Sequence, residues 1–133
     1  MVSEYFAKGG TARAEDAVGC YVRIGDLREL EVAPGVRIRA VAGAGLMLSY
    51  VTLDPNSVAE EHTHDEEQMG IVLSGSCTFV LDGDERELSE GDVYHAPSGV
   101  PHGARTGETV CIILDVFSPP RVALLDLLKG PNA

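Results

Sequence analysis

His62-Thr63-His64 sets two imidazoles two residues apart, and Gln68 follows four residues after the second. A third histidine closes the cluster Pro97-Ser98-Gly99-Val100-Pro101-His102. The chain has four histidines in 133 residues, so this pattern leaves out only His95. On a β-strand, residues i and i+2 point to one face, which would bring the rings of His62 and His64 together. His102 from another strand and the side-chain oxygen of Gln68 would then complete a cage for one divalent transition metal. Imidazole nitrogen suits Zn, Ni, Mn, Fe or Cu. Three histidines with an open position form a catalytic rather than a structural arrangement. Glu66 and Glu67 are alternative ligands at a less suitable spacing. The set His62, His64, Gln68 and His102 is uncharged, so it leaves the ion's two positive charges uncompensated. Such an ion is a stronger Lewis acid and a better seat for a small anionic molecule. The usual iron oxygenase triad carries a carboxylate. The set therefore favours polarising a carbonyl or stabilising an enolate over activating dioxygen.

The second informative segment is Leu114-Asp115-Val116-Phe117-Ser118-Pro119-Pro120-Arg121. On a strand, Asp115 and Phe117 share a face. If that face is the interior, Asp115 is a general acid or base in an apolar cavity, where a metal keeps it ionised and desolvation opposes that. Arg121 would reach over the cavity mouth and pair with a substrate carboxylate. The alternative places Asp115 at a strand end in solvent and Arg121 in a surface ion pair. Phe117, Tyr50 and Arg39 complete the candidate substrate-binding set. Arg37 and Arg39 share one strand face. Inward they bind an anion, and outward they offset the acidic surface. Tyr50 either lines the cavity or packs in its wall. His95 either supports the ligands from behind or lies at the surface.

These residues need strands and tight turns to position them. Val36–Val41 alternates apolar and polar residues, as a half-buried strand does. Leu27–Val32, Leu46–Leu53, Gln68–Leu73, Cys77–Leu81, Arg86–Leu88, Val93–Ala96 and Val110–Phe117 read as further strands. Pro34-Gly35, Asp54-Pro55-Asn56, Ser74-Gly75, Asp82-Gly83-Asp84 and Glu90-Gly91-Asp92 supply the turns between them. Such spacing predicts an all-β sandwich or barrel. Pro119-Pro120 stops the sheet, and Val122, Leu124, Leu125 and Leu128 form one face of a short C-terminal helix. Residues 1–20 read as a loose N-terminal arm and residues 21–133 as one domain.

The net charge of −11 repels phosphate backbones and argues against a nucleic-acid partner. The apolar runs are too short to span a bilayer, so no membrane partner is expected. Cys20, Cys77 and Cys111 form no CxxC pair and read as reduced thiols of a cytoplasmic protein. The first residues lack the basic start and apolar stretch of a signal peptide.

The histidine pair, Gln68 and Gly75, followed by Gly91, Pro97, Gly99 and His102, resemble the two motifs of the cupin superfamily. The resemblance covers residues 35–117. It implies a single cupin barrel (a jelly roll, or double-stranded β-helix) with the ligands pointing inward, and a homodimer as the assembly. Two departures mark this chain. Asn56 stands where the first motif opens with glycine, and Gln68 stands where most cupins carry glutamate. Gln68 together with Asp115, Phe117 and Arg121 resembles one cupin branch, the pectin-degradation proteins of the KdgF type. That branch converts unsaturated uronates into linear keto forms. The resemblance implies proton transfer by Asp115 and a carboxylate seat at Arg121. Val122-Ala123-Leu124 departs from the acidic and aromatic residues that commonly follow there. The leading expectation is a metal-dependent lyase or isomerase acting on a small carboxylated sugar derivative or keto acid. A metal-dependent dioxygenase and a non-enzymatic sugar-binding cupin are the alternatives.

Overall fold

The computed structural model describes residues 5–6, 13 and 15–129. Most of the expected arm over residues 1–20 lies outside the described residues, and residues 15–20 are exposed without regular structure. A 3-10 turn, Ile24–Asp26, precedes the strands.

Ten strands follow in two sheets. They are β1 (Leu30–Ala33), β2 (Val36–Ala42), β3 (Met47–Leu53), β4 (Val58–His62), β5 (Glu67–Ser74), β6 (Ser76–Leu81), β7 (Asp84–Ser89), β8 (Val93–Ala96), β9 (His102–Arg105) and β10 (Cys111–Ser118). One sheet runs β1-β2-β3-β10-β5-β8 and the other β4-β9-β6-β7. Every pairing is antiparallel. The result is the expected all-β jelly roll. A helix, α1 (Val122–Leu128), follows the Pro119-Pro120 stop and buries Leu124. Among the described residues, no helix is long and apolar enough to cross a membrane.

Alternation decides what reaches the interior. Along β10, Cys111, Ile113, Asp115 and Phe117 are buried, while Ile112, Leu114 and Val116 are less so. Along β5 the buried residues are Gln68, Gly70 and Val72, and along β8 they are Tyr94 and Ala96. Strand register sets these side chains on shared rungs. Ser49, Asp115, Gly70 and Tyr94 lie on one rung across β3, β10, β5 and β8. Met47, Phe117, Gln68 and Ala96 lie on the next. A core of Val36, Leu53, Val72, Phe79, Cys111 and Ile113 fills the space between the sheets. A second cluster of Ile38, Met47, Phe117 and Leu124 seats the helix.

The turn signals match the backbone. Asp82 and Gly83 both have positive φ at the β6–β7 hairpin, and Asn56 has φ of 57°. Asparagine thus takes the left-handed conformation that glycine would otherwise supply there. At Gly75 two constraints coincide. Its φ is +74°, and a Cβ built on it would lie 1.9 Å from the carbonyl oxygen of Val110. We predict that Gly75→Ala lowers stability by at least the upper end of the ~1–3 kcal/mol that a left-handed non-glycine residue costs. Urea unfolding of the variant reads this directly. A loss within the scatter of a surface substitution would contradict the packing at this turn.

Candidate metal centre

His62 is the last residue of β4, His102 the first of β9, and the two are register partners. His64 does not continue the strand, as the i, i+2 spacing suggested, but lies in the irregular stretch after it, next to the bend at Asp65-Glu66. Its carbonyl accepts a hydrogen bond from the Gly99 amide at 3.0 Å, which ties this stretch to the Pro97–Val100 turn. The three rings still converge. Their centroids are 4.5–5.6 Å apart, and one ligand atom from each lies within 4.8 Å of the others.

Each ring is held the same way. The Nδ1 atom lies against a backbone carbonyl: Glu60 for His62 at 2.7 Å, Glu66 for His64 at 2.9 Å, Val100 for His102 at 2.9 Å. A carbonyl oxygen can only accept, so each Nδ1 carries the proton and each Nε2 carries a lone pair. Desolvation holds His62 below the usual imidazole range and pushes His102 down to about 4, in each case against the raising effect of the carbonyl partner. Both rings are therefore neutral at pH 7, as ligands must be.

Gln68, buried on β5, turns its Oε1 toward this cluster. Oε1 lies 2.9 Å from Nε2 of His64 and 3.0 Å from Nε2 of His102. Its amide nitrogen donates to the Tyr94 hydroxyl, and that hydroxyl donates to Oδ1 of Asp115. The direction of this chain fixes the amide: with NH2 committed to Tyr94, only the oxygen faces the imidazoles. Lone-pair acceptors brought this close repel one another unless a cation lies among them. The donor set therefore fits a divalent metal held by His62, His64, Gln68 and His102. The alternative carboxylates do not reach this face. Glu66 sits 3.5 Å from Nδ1, behind the ring of His64, and Glu67 pairs with the exposed His95 at 2.7 Å outside the barrel.

Asp115 is buried beside this cluster. Desolvation raises its carboxyl to about 6, partly offset by the hydrogen bonds from Tyr94 and Gln68. Burial and the neighbouring Asp115 hold the Tyr94 hydroxyl well above its ordinary range, so it stays a donor. Tyr94 was not among the residues singled out from the sequence. Its partner in this role is Gly70, which faces Asp115 on one side and Tyr94 on the other. A Cβ at Gly70 would lie 2.3 Å from the Tyr94 ring and 2.4 Å from Oδ1 of Asp115. The two side chains touch because nothing stands between them.

Asp115, Phe117, Gln68, His62 and Arg121 line one cavity of about 440 Å³. The Arg121 guanidinium carbon lies 6.0 Å from the centre of the Phe117 ring, and its buried Nε has no hydrogen-bond partner among the described residues. Arg39 and Tyr50 require correction as substrate-binding candidates. They are register partners on the outer face of β2 and β3, and neither lines the cavity. Arg39 instead pairs with Glu29 and donates to the carbonyls of Ile24, Gly25 and Leu27. The neighbouring residues that point inward on those strands are Ile38 and Ala40 beside Arg39, and Ser49 and Val51 beside Tyr50.

A family model described as "Cupin domain" matches residues 49–117, and the chain belongs to that family. Within it, the chain is a small cupin resembling the pectin degradation protein KdgF. The KdgF of Dickeya dadantii (strain 3937) is 30% identical over 97 residues, covering 71% of this chain and 88% of that protein. The solved structure of KdgF from Halomonas sp. has a TM-score of 0.75 and 30% identity, covering 80% of this chain and 99% of that one. The polyketide cyclase RemF from Streptomyces resistomycificus has a TM-score of 0.67 and 26% identity, covering 76% and 80% of the two chains.

Two predictions follow from the geometry. Tyr94→Phe keeps the fold but frees the Gln68 amide to rotate, so zinc affinity measured by chelator competition falls about 10–100-fold. Unchanged affinity would show that Tyr94 does not orient the ligand. The second concerns the metal-free protein. Between pH 4 and 6 the folded state keeps a proton on Asp115 that the unfolded carboxyl, near 3.8, has lost, so this group's contribution falls as pH rises. His102 acts oppositely: from about 4 to 6.5 the unfolded imidazole binds a proton that the folded one rejects, so its contribution rises with pH. Asp115→Asn removes the first effect alone. Its stability in chelator should climb more steeply from pH 4 to 6.5 than that of the unaltered protein, as read by urea unfolding at each pH.

Proposed function

We propose that this protein is a metal-dependent cupin enzyme with lyase- or isomerase-type chemistry on a small carboxylated substrate, either a sugar derivative of the uronate kind or a keto acid. The observation that carries the reading is the chain Gln68–Tyr94–Asp115, which links the imidazole cluster to a buried carboxyl in the cavity that Arg121 also lines. The likeness to KdgF proteins supports it.

Opening an unsaturated uronate ring is an isomerisation. The hydroxyl at the ring's reducing carbon loses its proton, the ring C–O bond breaks, and its electron pair makes an enolate beside the carboxylate. Protonation of the enolate carbon then gives the keto acid, and no other reactant is consumed. Asp115 suits both proton steps, because a carboxyl raised to about 6 accepts and returns a proton near neutral pH. Tyr94 holds the carboxyl in place while this happens. The Arg121 guanidinium suits the substrate carboxylate. Phe117 forms the wall beneath that guanidinium. A divalent metal held by His62, His64, Gln68 and His102 would supply Lewis acidity toward the substrate oxygen. The reading includes two copies paired as a homodimer.

A panel of unsaturated uronates and enol forms of 2-keto acids tests this, followed by the fading ultraviolet absorbance of the conjugated carboxylate. Asp115→Asn should retain its metal and lose about 100-fold or more in turnover. Chelation should abolish turnover and added metal restore it, with the same rates in the absence of dioxygen. Full activity in Asp115→Asn would remove the carboxyl from the reaction, and a requirement for dioxygen would point to an oxygenase instead.

A further inference from the structure

The cavity is divided by polarity. Its polar groups come from His62, Gln68, Asp115 and Arg121, with Ser49 and the exposed Glu60 as the remaining polar lining. The other ten of its sixteen lining residues carry hydrocarbon side chains. These extend from the inner face of β2 and β3, at Val36, Ile38 and Val51, to the helix residue Leu124. Val36, Ile38 and Leu124 are each 5–6% exposed and form the interior part of this wall, while Val32 and Leu127, at 44% and 53%, form its rim.

A substrate seated here places its carboxylate and reacting oxygen at the polar end, and its body against hydrocarbon. A uronate carries hydroxyls on that body. Each one that leaves water needs a new hydrogen-bond partner, and an aliphatic wall has none to give. An apolar body meets the opposite situation, because its burial there is favourable in itself. We infer that the substrate is a 2-keto acid, or its enol, whose third carbon bears an apolar group such as an aryl ring, and not a polyhydroxylated chain. The inference rests on the enzymatic reading given above and narrows its substrate. It leaves the chemistry unchanged, since the opened unsaturated uronate is itself the enol of a 2-keto acid. For the apolar substrate the enol hydroxyl gives up its proton and the third carbon gains one, again with no net reactant.

Binding of unreactive carboxylates tests the polarity without turnover. In calorimetry on the zinc-loaded protein, 3-phenylpropanoate should bind at least about tenfold more tightly than glucuronate. Val51→Thr keeps the shape of the wall, adds a hydroxyl and should narrow that ratio. In kinetics, kcat/KM for the enol of phenylpyruvate should exceed that for an unsaturated uronate by about 100-fold. Equal or tighter binding of glucuronate, binding of neither, or faster turnover of the uronate would overturn the inference. Faster turnover of the uronate would leave the enzymatic reading standing. Selective binding of 3-phenylpropanoate with no turnover of either substrate would do the reverse.

Discussion

Everything in this site depends on the three backbone carbonyls that hold the imidazole Nδ1 protons. They come from residues two positions away from the histidine they hold: Glu60, Glu66 and Val100. Local chain geometry thereby fixes three tautomers at once. Each ring must then turn its lone pair inward, and Gln68 adds a further acceptor at 2.9 and 3.0 Å from two of them. Such a group is electrostatically incomplete without a cation. A glutamate at position 68 would answer part of that demand with its own charge. The amide adds no charge of its own and leaves that demand to a cation.

The amide is also what connects the cluster to Asp115. A carboxylate at position 68 could not donate to Tyr94. The Tyr94 hydroxyl would then have to choose between two carboxylates, and the buried Asp115 would face another negative charge nearby. With glutamine, each group has one direction: amide to hydroxyl, hydroxyl to carboxylate. Gly70 makes the geometry feasible by leaving the space over which Tyr94 and Asp115 meet. One missing Cβ and one neutral side chain thus join the imidazole cluster and a buried carboxyl into a single unit.

The parts legible in the sequence were those set by local spacing. Strict alternation in β10 sends Asp115 and Phe117 inward, and the Asp82-Gly83 turn marks its hairpin. The histidine cluster came from motif spacing, although His64 reaches it from the irregular stretch after β4 and not from the strand. The histidines called for a strand at His62 and another at His102, but the extents of β4 and β9 were not legible because Val58–His62 and His102–Arg105 lack apolar alternation: one is charged and exposed, the other built of small residues. Tyr94 was equally hard to see. Its importance comes from register across β8, β5 and β10, which joins residues 70, 94 and 115. A single aromatic between Val93 and His95 gives no local hint of that. Arg39 and Tyr50 show the converse. Their chemistry suited an anion site, but a one-residue difference in phase puts them outside and Ser49 inside.

The distribution of charge follows the same division between inner and outer faces. Arg37, Arg39, Arg86 and Arg105 are matched to carboxylates on the outside. Such exposed pairs contribute little to stability individually, but they keep these guanidinium groups away from the cavity. Arg121 differs because the chain reaches it after Pro119-Pro120 has ended the sheet, at the cap of α1 and against Phe117. Its buried Nε is left without a hydrogen-bond partner among the described residues. A strongly acidic chain can therefore place a guanidinium in its cavity: strand phase keeps Arg37 and Arg39 outside, while the turn at the end of β10 brings Arg121 to the cavity lining.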